Sequence, residues 1–369
     1  MNGQPPGVAA PRSTSESPER AQAGWWRSPS ELLASFKSPV SSACDWYRIA
    51  DSSLGIRSGD ASLLTRFKQL YGDCRSKRPR NTGARIRCIV EVAKGSPAHL
   101  VTFAGHGQID LVNFMLDVFR DRGYFELPQP AKAWRALGMA GQTDPILLAC
   151  GDQILADAGR PWQPIVANCA FNLAMAVQSH TLFFHAASVV VRDAGALFVG
   201  AKGSGKTTLS MALAARGGVF LGDEIAGVRP QTRELLPVRR AVSVRPGPKS
   251  LQVDELLRRR DYPLEELPDG SVRVRAEAGE LFPVAGENAY PLRLIFFLRQ
   301  FEDQPCAEQF RPRWVDMRLL TPLPCSLWSG PPSRRIMQIV GMLSKIKCHY
   351  LYPGQADETA ALVERIARN

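Results

Sequence analysis

The stretch Gly200-Ala-Lys-Gly-Ser-Gly-Lys-Thr-Thr208 fits the pattern G-x-x-x-x-G-K-[ST], and its flanks constrain what can be built around it. An apolar, strand-like run, Ala196-Leu-Phe-Val199, leads in, and a helix-forming run, Thr207 to Ala215, leads out. Such a loop ties a strand end to a helix start. Its successive backbone N–H groups wrap an anion, and the helix dipole adds attraction. Gly203 and Gly205 supply backbone angles and a close approach that a side chain would block. The nucleotide-binding candidates are therefore Gly200, Ala201, Lys202, Gly203, Ser204, Gly205, Lys206, Thr207 and Thr208. Lys206 is placed to reach the outer phosphates, and the Thr207 hydroxyl to ligate Mg²⁺. The expected ligand is a nucleoside triphosphate, ATP with Mg²⁺.

A chain of 369 residues suggests about two domains with enough apolar content for buried cores. Residues 1–40 are expected to be a disordered segment, because they mix Pro, Ser, Gly, Ala and charge without apolar period. Residues 41–161 read as a smaller N-terminal α+β domain and 162–369 as the nucleotide-binding domain. The formal net charge is +11, and its densest basic cluster is Arg75-Ser-Lys-Arg-Pro-Arg80. Pro79, Asn81 and Gly83 mark that cluster as a solvated loop, so no nucleic-acid partner is expected. The eight cysteines include no C-x-x-C pair, which argues against a zinc site or a disulfide framework. The longest apolar stretch, Ile165 to Val177, is too short to span a bilayer, and no signal peptide is visible. A cytoplasmic protein without membrane association is the expectation.

Residues 86–92 read as a strand, Asp110 to Phe119 as a helix, and Pro164 to Gln178 as another. His99 and His106 lack partners at ligand spacing and read as structural. Phe183 to Arg192 reads as one strand, joined by the turn Asp193-Ala-Gly195 to the strand that enters the loop. Reflection about Ala194 then pairs Ser188 with Gly200 and sets His185 opposite Gly203. After the loop helix, Gly217-Gly218 signals a C-cap, and Val219 to Gly222 forms a strand ending in Asp223-Glu224. Carboxylates at the end of a strand beside a phosphate loop are where an acid holds Mg²⁺ or activates a hydroxyl. Arg239, Arg240 and Arg245 are candidates for phosphate or an acidic substrate, and Arg258-Arg-Arg260 for exposed helix surface. Leu292 to Leu298 and His349 to Tyr352 read as strands, Arg335 to Leu343 and Glu358 to Ala367 as helices.

The short interval from Lys206 to Asp223 is informative, since many ATPases carry their Mg²⁺-binding acid far downstream. His185 stands fifteen residues before Gly200, and Asp223-Glu224 begin seventeen after Lys206. This arrangement resembles the HPr serine kinase/phosphorylase family, whose nucleotide fold is related to phosphoenolpyruvate carboxykinase. The resemblance is firm over about residues 180–250. It implies an α/β fold with an HPr kinase/PEP carboxykinase-like P-loop domain. It also implies catalytic roles for Asp223, His185 and Lys206. Asp223 would accept the substrate hydroxyl proton, Glu224 would support it or the metal together with Thr207, and His185 would help set the charge state near the phosphates. The family's second aspartate is Glu224 here, and its segment for the reverse phosphorylase reaction has no clear counterpart. The chain is similar to the divergent branch associated with modified-peptide gene clusters such as those for lasso peptides. The resemblance therefore implies an ATP- and Mg²⁺-dependent kinase acting on a serine-type hydroxyl of a protein or peptide, either an HPr-like protein or a peptide precursor. It also brings in a homo-oligomer, since HPr kinases form rings. The alternatives are a nucleotide-responsive interaction protein with little catalysis, and a small-molecule kinase or carboxykinase relative.

Overall fold

The computed structural model describes residues 45–58, 61–77, 87–95, 98–104, 134–137, 146–150, 167, 171, 174–175, 178, 180–245, 247, 251–262, 264–266, 270, 272–284, 286, 288–313, 320, 323 and 332–368. The segment 1–40, the helix expected at Asp110 to Phe119, and His106 lie outside them. The chain is mixed α/β with several sheets.

The N-terminal elements are β1 (Asp45–Ile49), β2 (Ser52–Ser58), α1 (Ala61–Tyr71), a 3-10 turn (Gly72–Cys74), β3 (Arg75–Ser76), β4 (Arg87–Gly95), β5 (Ala98–Ala104), β6 (Trp134–Leu137) and β7 (Ile146–Cys150). Their strands form a sheet in the order β3-β1-β2-β4-β5-β7-β6, with the strand expected at 86–92 lying in β4. Phe67, Leu70 and Tyr71 stand at three- and four-residue spacing on α1 and are buried, as an amphipathic helix requires.

The second sheet carries β8 (Leu182–Phe184), β9 (Ala186–Val191), β10 (Ala194–Val199), β11 (Val219–Gly222), β12 (Ala226–Arg229) and β13 (Glu234–Leu236). Three later strands complete it: β17 (Tyr290–Leu298), β18 (Cys306–Phe310) and β19 (Lys347–Tyr352). A third sheet pairs β14 (Val242–Val244), β15 (Leu264–Glu266) and β16 (Val272–Ala276) in the order β14-β16-β15. The helices are α2 (Lys206–Ala215), α3 (Leu251–Arg258), α4 (Ala278–Leu281), α5 (Pro332–Leu343) and α6 (Ala356–Arg368).

Strand β17 is the spine of the second sheet. It runs parallel to β10 on one side and to β19 on the other. Parallel strands are covered on both faces, which is why Leu294 to Leu298 is an unbroken apolar run. On one face Val189, Phe198, Phe296 and Leu351 pack against Leu209 and Leu213 of α2 and Ala360 and Val363 of α6. Phe198 and Phe296 stack with centroids 5.4 Å apart. On the other face Leu197, Ile295 and Phe297 meet Ile339, Met342 and Leu343 of α5. Each such fully buried side chain contributes about 1.5–3 kcal/mol. The far side of α2 packs through Met211 and Ala214 on Val242, Val244 and Ala276, which are inward residues of the third sheet.

The strand expected over Phe183 to Arg192 is two strands, broken at His185. β8 pairs with β12, whereas β9 pairs with β10 and β11. The hairpin register also differs from the expected one. The turn is the two-residue Arg192-Asp193, both at positive φ (49° and 66°), and the pairing runs Ala194↔Val191 to Val199↔Ala186. Ser188 therefore faces Leu197, not Gly200, and one step beyond the ladder His185 falls opposite Gly200, not Gly203. Gly195 lies in β10 because β17 crosses too close for a side chain. A Cβ there would stand 2.7 Å from the Pro291 carbonyl oxygen.

Helix α2 ends as its glycines foretell. Gly217 N–H donates to Ala214 O and Gly218 N–H to Leu213 O, the paired bonds of a Schellman motif. Near the third sheet, Asp73 accepts from the N–H groups of Ala278 and Gly279 at the start of α4, and Ala241 N–H donates to Leu70 O at 2.8 Å. Among the described residues no helix is long and apolar enough to cross a membrane, and Cys74, Cys306 and Cys348 are free thiols.

Candidate active site

Parallel strands deliver the loops that follow them to one end of a sheet, and ligands of open α/β sheets sit in the crevice at that end. Here β10, β17 and β19 are mutually parallel, and β11, antiparallel to β9, runs with them. The segments leaving these four strands, together with the residue entering β9, line one cleft of about 900 Å³. Lys202 to Thr208 follow β10, Phe301 to Asp303 follow β17, Pro353 to Ala356 follow β19, Asp223 and Glu224 follow β11, and His185 precedes β9.

The loop is built on two left-handed glycines, Gly203 (φ 88°) and Gly205 (φ 89°). Gly205 is also the N-cap of α2, and no side chain caps that end. The first turn of α2 carries no acidic residue, so its unpaired amides and positive dipole end are not neutralised from within the helix. Ser204 N–H donates to Ala201 O at 3.2 Å, which closes the loop. Lys206 is buried and folds back, donating to the carbonyls of Gly200 (2.8 Å) and Ala201 (2.9 Å). Burial pushes its ammonium below the ordinary lysine range, while the charges of Glu224 and Asp223 pull it upward. A cation held on loop carbonyls in this way is placed to exchange them for phosphate oxygens.

Asp223 is 7 % exposed at the end of β11, where its carboxylate accepts from the Thr207 hydroxyl. Burial pushes its pKa from the ordinary 3.8 up to about 7, and the charge of Glu224 adds to the rise; Thr207 and Arg240 oppose it. Glu224 is exposed and ion-paired to Arg240 at 2.8 Å. The Arg240 guanidinium in turn lies over the rings of Tyr71 (5.5 Å) and Phe171 (6.0 Å). Those two rings stack at 4.3 Å. Arg240, expected to meet phosphate or substrate, instead ties a site carboxylate to the N-terminal elements. His185 is exposed on the cleft wall between β8 and β9.

The loop residues, His185, Asp223 and Glu224 fall on this cleft or on the loop behind it. Gly200, Ala201 and Ser204 form the back of the loop, and Lys202, Gly203, Gly205, Lys206, Thr207, Thr208, His185, Asp223 and Glu224 face the cavity. Arg245 lines it as well, whereas Arg239 does not. Sequence reasoning missed Phe301, Glu302, Gln355, Ser243 and Arg273, which also line it. Treating Leu292–Leu298 and His349–Tyr352 as parallel neighbours of Ala196–Val199 would have led to the first three, because their loops must then leave at the same end.

The residues suit a magnesium–nucleotide complex. Space is open around Gly203, where a Cβ would have no neighbour within 4 Å. Among the described residues no three His, Cys, Asp or Glu side chains are arranged to hold a metal by themselves. Mg²⁺ bound with a triphosphate needs few protein ligands, because phosphates and waters complete its shell. The Thr207 hydroxyl and the Asp223 and Glu224 carboxylates are oxygen donors of the required kind.

No family model and no curated protein matches the chain. Among solved structures it is similar to the Hpr(Ser) kinase/phosphatase from Coxiella burnetii, at 14% identity and a TM-score of 0.26, over 51% of this chain and 88% of that one. That likeness is weak, and the chemistry has to be read from the cleft itself.

Proposed function

We propose that this protein is an ATP- and Mg²⁺-dependent kinase that phosphorylates a serine-type hydroxyl of a protein or peptide. The observation that carries this reading is Asp223, a buried carboxyl pushed up to about 7 and hydrogen-bonded to Thr207 beside an uncapped, lysine-bearing loop. A base whose pKa lies near the working pH combines an adequate ionised fraction with useful proton affinity.

In this reading the amides from Gly203 to Thr207 and the Lys206 ammonium hold the β- and γ-phosphates. The acceptor hydroxyl oxygen forms a bond to the γ-phosphorus while the bond from that phosphorus to the β-bridging oxygen breaks. The hydroxyl proton passes to an Asp223 oxygen, and ADP departs with the electron pair of the broken bond. Bound Mg²⁺ would supply charge neutralisation for the phosphate oxygens, with Thr207 and the acidic pair as its protein ligands. Catalysis is thus mainly positioning and electrostatic stabilisation. Glu224 is held by Arg240 within reach of the same cleft, which suits support of the metal complex better than proton transfer.

The test is transfer of label from γ-labelled ATP to serine peptides and small proteins, with nucleotide binding measured in parallel. Asp223→Asn is expected to abolish transfer and keep nucleotide affinity. Full transfer by that variant rejects Asp223 as the base. Nucleotide binding by the wild type without transfer to any hydroxyl acceptor would favour a nucleotide-responsive interaction protein.

A further inference from the structure

The third sheet turns its apolar residues, Val242, Val244 and Ala276, onto α2, so alternation points the intervening residues the other way. That outer face carries Ser243 and Arg245 of the β14 segment, Glu265 of β15, and Arg273 and Arg275 of β16. Helix α1, whose own sequence has no acidic residue, adds Arg66 above it. Three guanidinium groups, those of Arg66, Arg273 and Arg275, therefore gather around one carboxylate.

Glu265 is fully committed to three of them. Its Oε1 accepts from Arg66 at 2.7 Å, and its Oε2 from Arg273 (3.0 Å) and Arg275 (2.9 Å). Arg273 also donates to the Ser243 hydroxyl at 3.2 Å. Arg245 is exposed and has no ion-pair partner among the described residues. Three positive groups against one negative leaves an excess of two on a partly buried shelf, and Arg245 adds a further exposed charge to the cleft lining. Burial and the neighbouring Arg273 both push the Arg275 guanidinium below its ordinary range, a sign that the crowding is unrelieved. An ion cluster serving packing alone would bring carboxylates in balance, since uncompensated buried charge is costly. Ser243, Arg245 and Arg273 open into the same cleft as Lys206, Thr207 and Asp223.

We infer that this arginine shelf is the acceptor-recognition site and binds the carboxylate side chain of an acidic residue flanking the accepting serine. The inference rests on the kinase reading for its serine and on the shelf alone for its anion. Glu265 holds Arg273 in a fixed orientation, so the incoming carboxylate meets a guanidinium already placed. Arg245, at the cleft edge, closes on it from the open side. Glu302 and Asp303, which also line the cleft, disfavour an acidic segment seated on their side by repulsion.

The test uses the full chain with a non-hydrolysable ATP analogue and Mg²⁺, and fluorescein-labelled serine peptides whose flanks are acidic, neutral or basic. Anisotropy is expected to show the acidic peptide binding about tenfold tighter than the neutral one, with the advantage shrinking as salt rises. Arg273→Gln and Arg245→Ala are each expected to weaken acidic-peptide binding about three- to tenfold, with neutral-peptide and nucleotide affinity changed less than about twofold. Thermal melts accompany each variant; should Arg273→Gln fail to fold, the exposed Arg245→Ala decides by itself. Equal binding of acidic and neutral peptides overturns the inference and leaves the kinase reading intact. A loss of nucleotide affinity equal to the loss of peptide affinity also overturns it, since the shelf would then be serving ATP phosphates. Acidic-peptide binding that is not followed by phosphoryl transfer once ATP replaces the analogue upholds the shelf and removes the kinase.

Discussion

Replacing Asp223 by asparagine should make the ligand-free protein more stable at alkaline pH while destroying its chemistry. In the unfolded chain the carboxyl returns to its ordinary 3.8, whereas the folded protein holds its proton up to about 7. Because the native state binds this proton more tightly than the unfolded state, stability falls as pH rises from about 4 to about 7 and levels off above. The proton-linked cost is about 2 kcal/mol at pH 5 and about 4 kcal/mol at pH 8.5, a difference of about 2–3 kcal/mol. Asparagine keeps the shape and an acceptor for the Thr207 hydroxyl but cannot ionise. Whatever it costs in packing applies at both pH values and cancels in the difference. Urea unfolding of both proteins at pH 5 and pH 8.5 should therefore show the variant gaining about 2–3 kcal/mol relative to wild type between the two. A relative stability that does not change with pH would show that Asp223 is not a strained carboxylate, and the base assignment would lose its physical ground.

Lys206→Ala should raise the nucleotide dissociation constant at least about tenfold in titrations with a fluorescent ATP analogue, since it removes a charge-assisted contact; unchanged affinity would contradict its place on the loop. Gly205→Ala should lower stability by about 1–2 kcal/mol from its φ of 89° alone, and more from the new methyl's 3.1 Å approach to the Phe301 ring. Adding Phe301→Ala should recover only the second part, as thermal melts of the single and double variants will show. Burial works against ionisation of Asp51, but its bonds to Arg229 and Thr181 and the charge of Arg48 hold it below its ordinary range. Its contribution is present above pH 3.8 and lost as pH falls through the lower folded value. With both side chains a quarter to a third exposed, Asp51→Asn should cost about 1–2 kcal/mol at pH 7, the gap narrowing below about pH 4.

How far the sequence could be read depended on whether neighbours in space were neighbours in the chain. Residues 196–223 run strand, loop, helix, strand, and the loop, the Schellman end at Gly217-Gly218 and the strand end at Asp223 all stand where the residues indicated. The hairpin before it shows the limit. The glycine in Asp193-Ala-Gly195 suggested a turn, yet Asp193 and Arg192 take the positive φ themselves, and Gly195 answers to a strand almost a hundred residues later. Similarly, the charge of Arg240 was visible, but its partner Glu224 and its aromatic bed of Tyr71 and Phe171 come from three other segments.

By itself, then, the sequence determined the glycine-rich loop between β10 and α2, its lysine and hydroxyl, and the acid that follows one helix later, because backbone angles and a strand–helix junction are set by adjacent residues. Only the tertiary structure decided that Asp223 is buried enough to keep its proton near neutrality, since desolvation is the work of every segment packed around it. The arginine shelf was decided there too. Arg66, Arg273 and Arg275 are spread over more than two hundred residues, and strand order, not spacing, gathers them on Glu265 and brings Arg273 and Arg245 to the cleft.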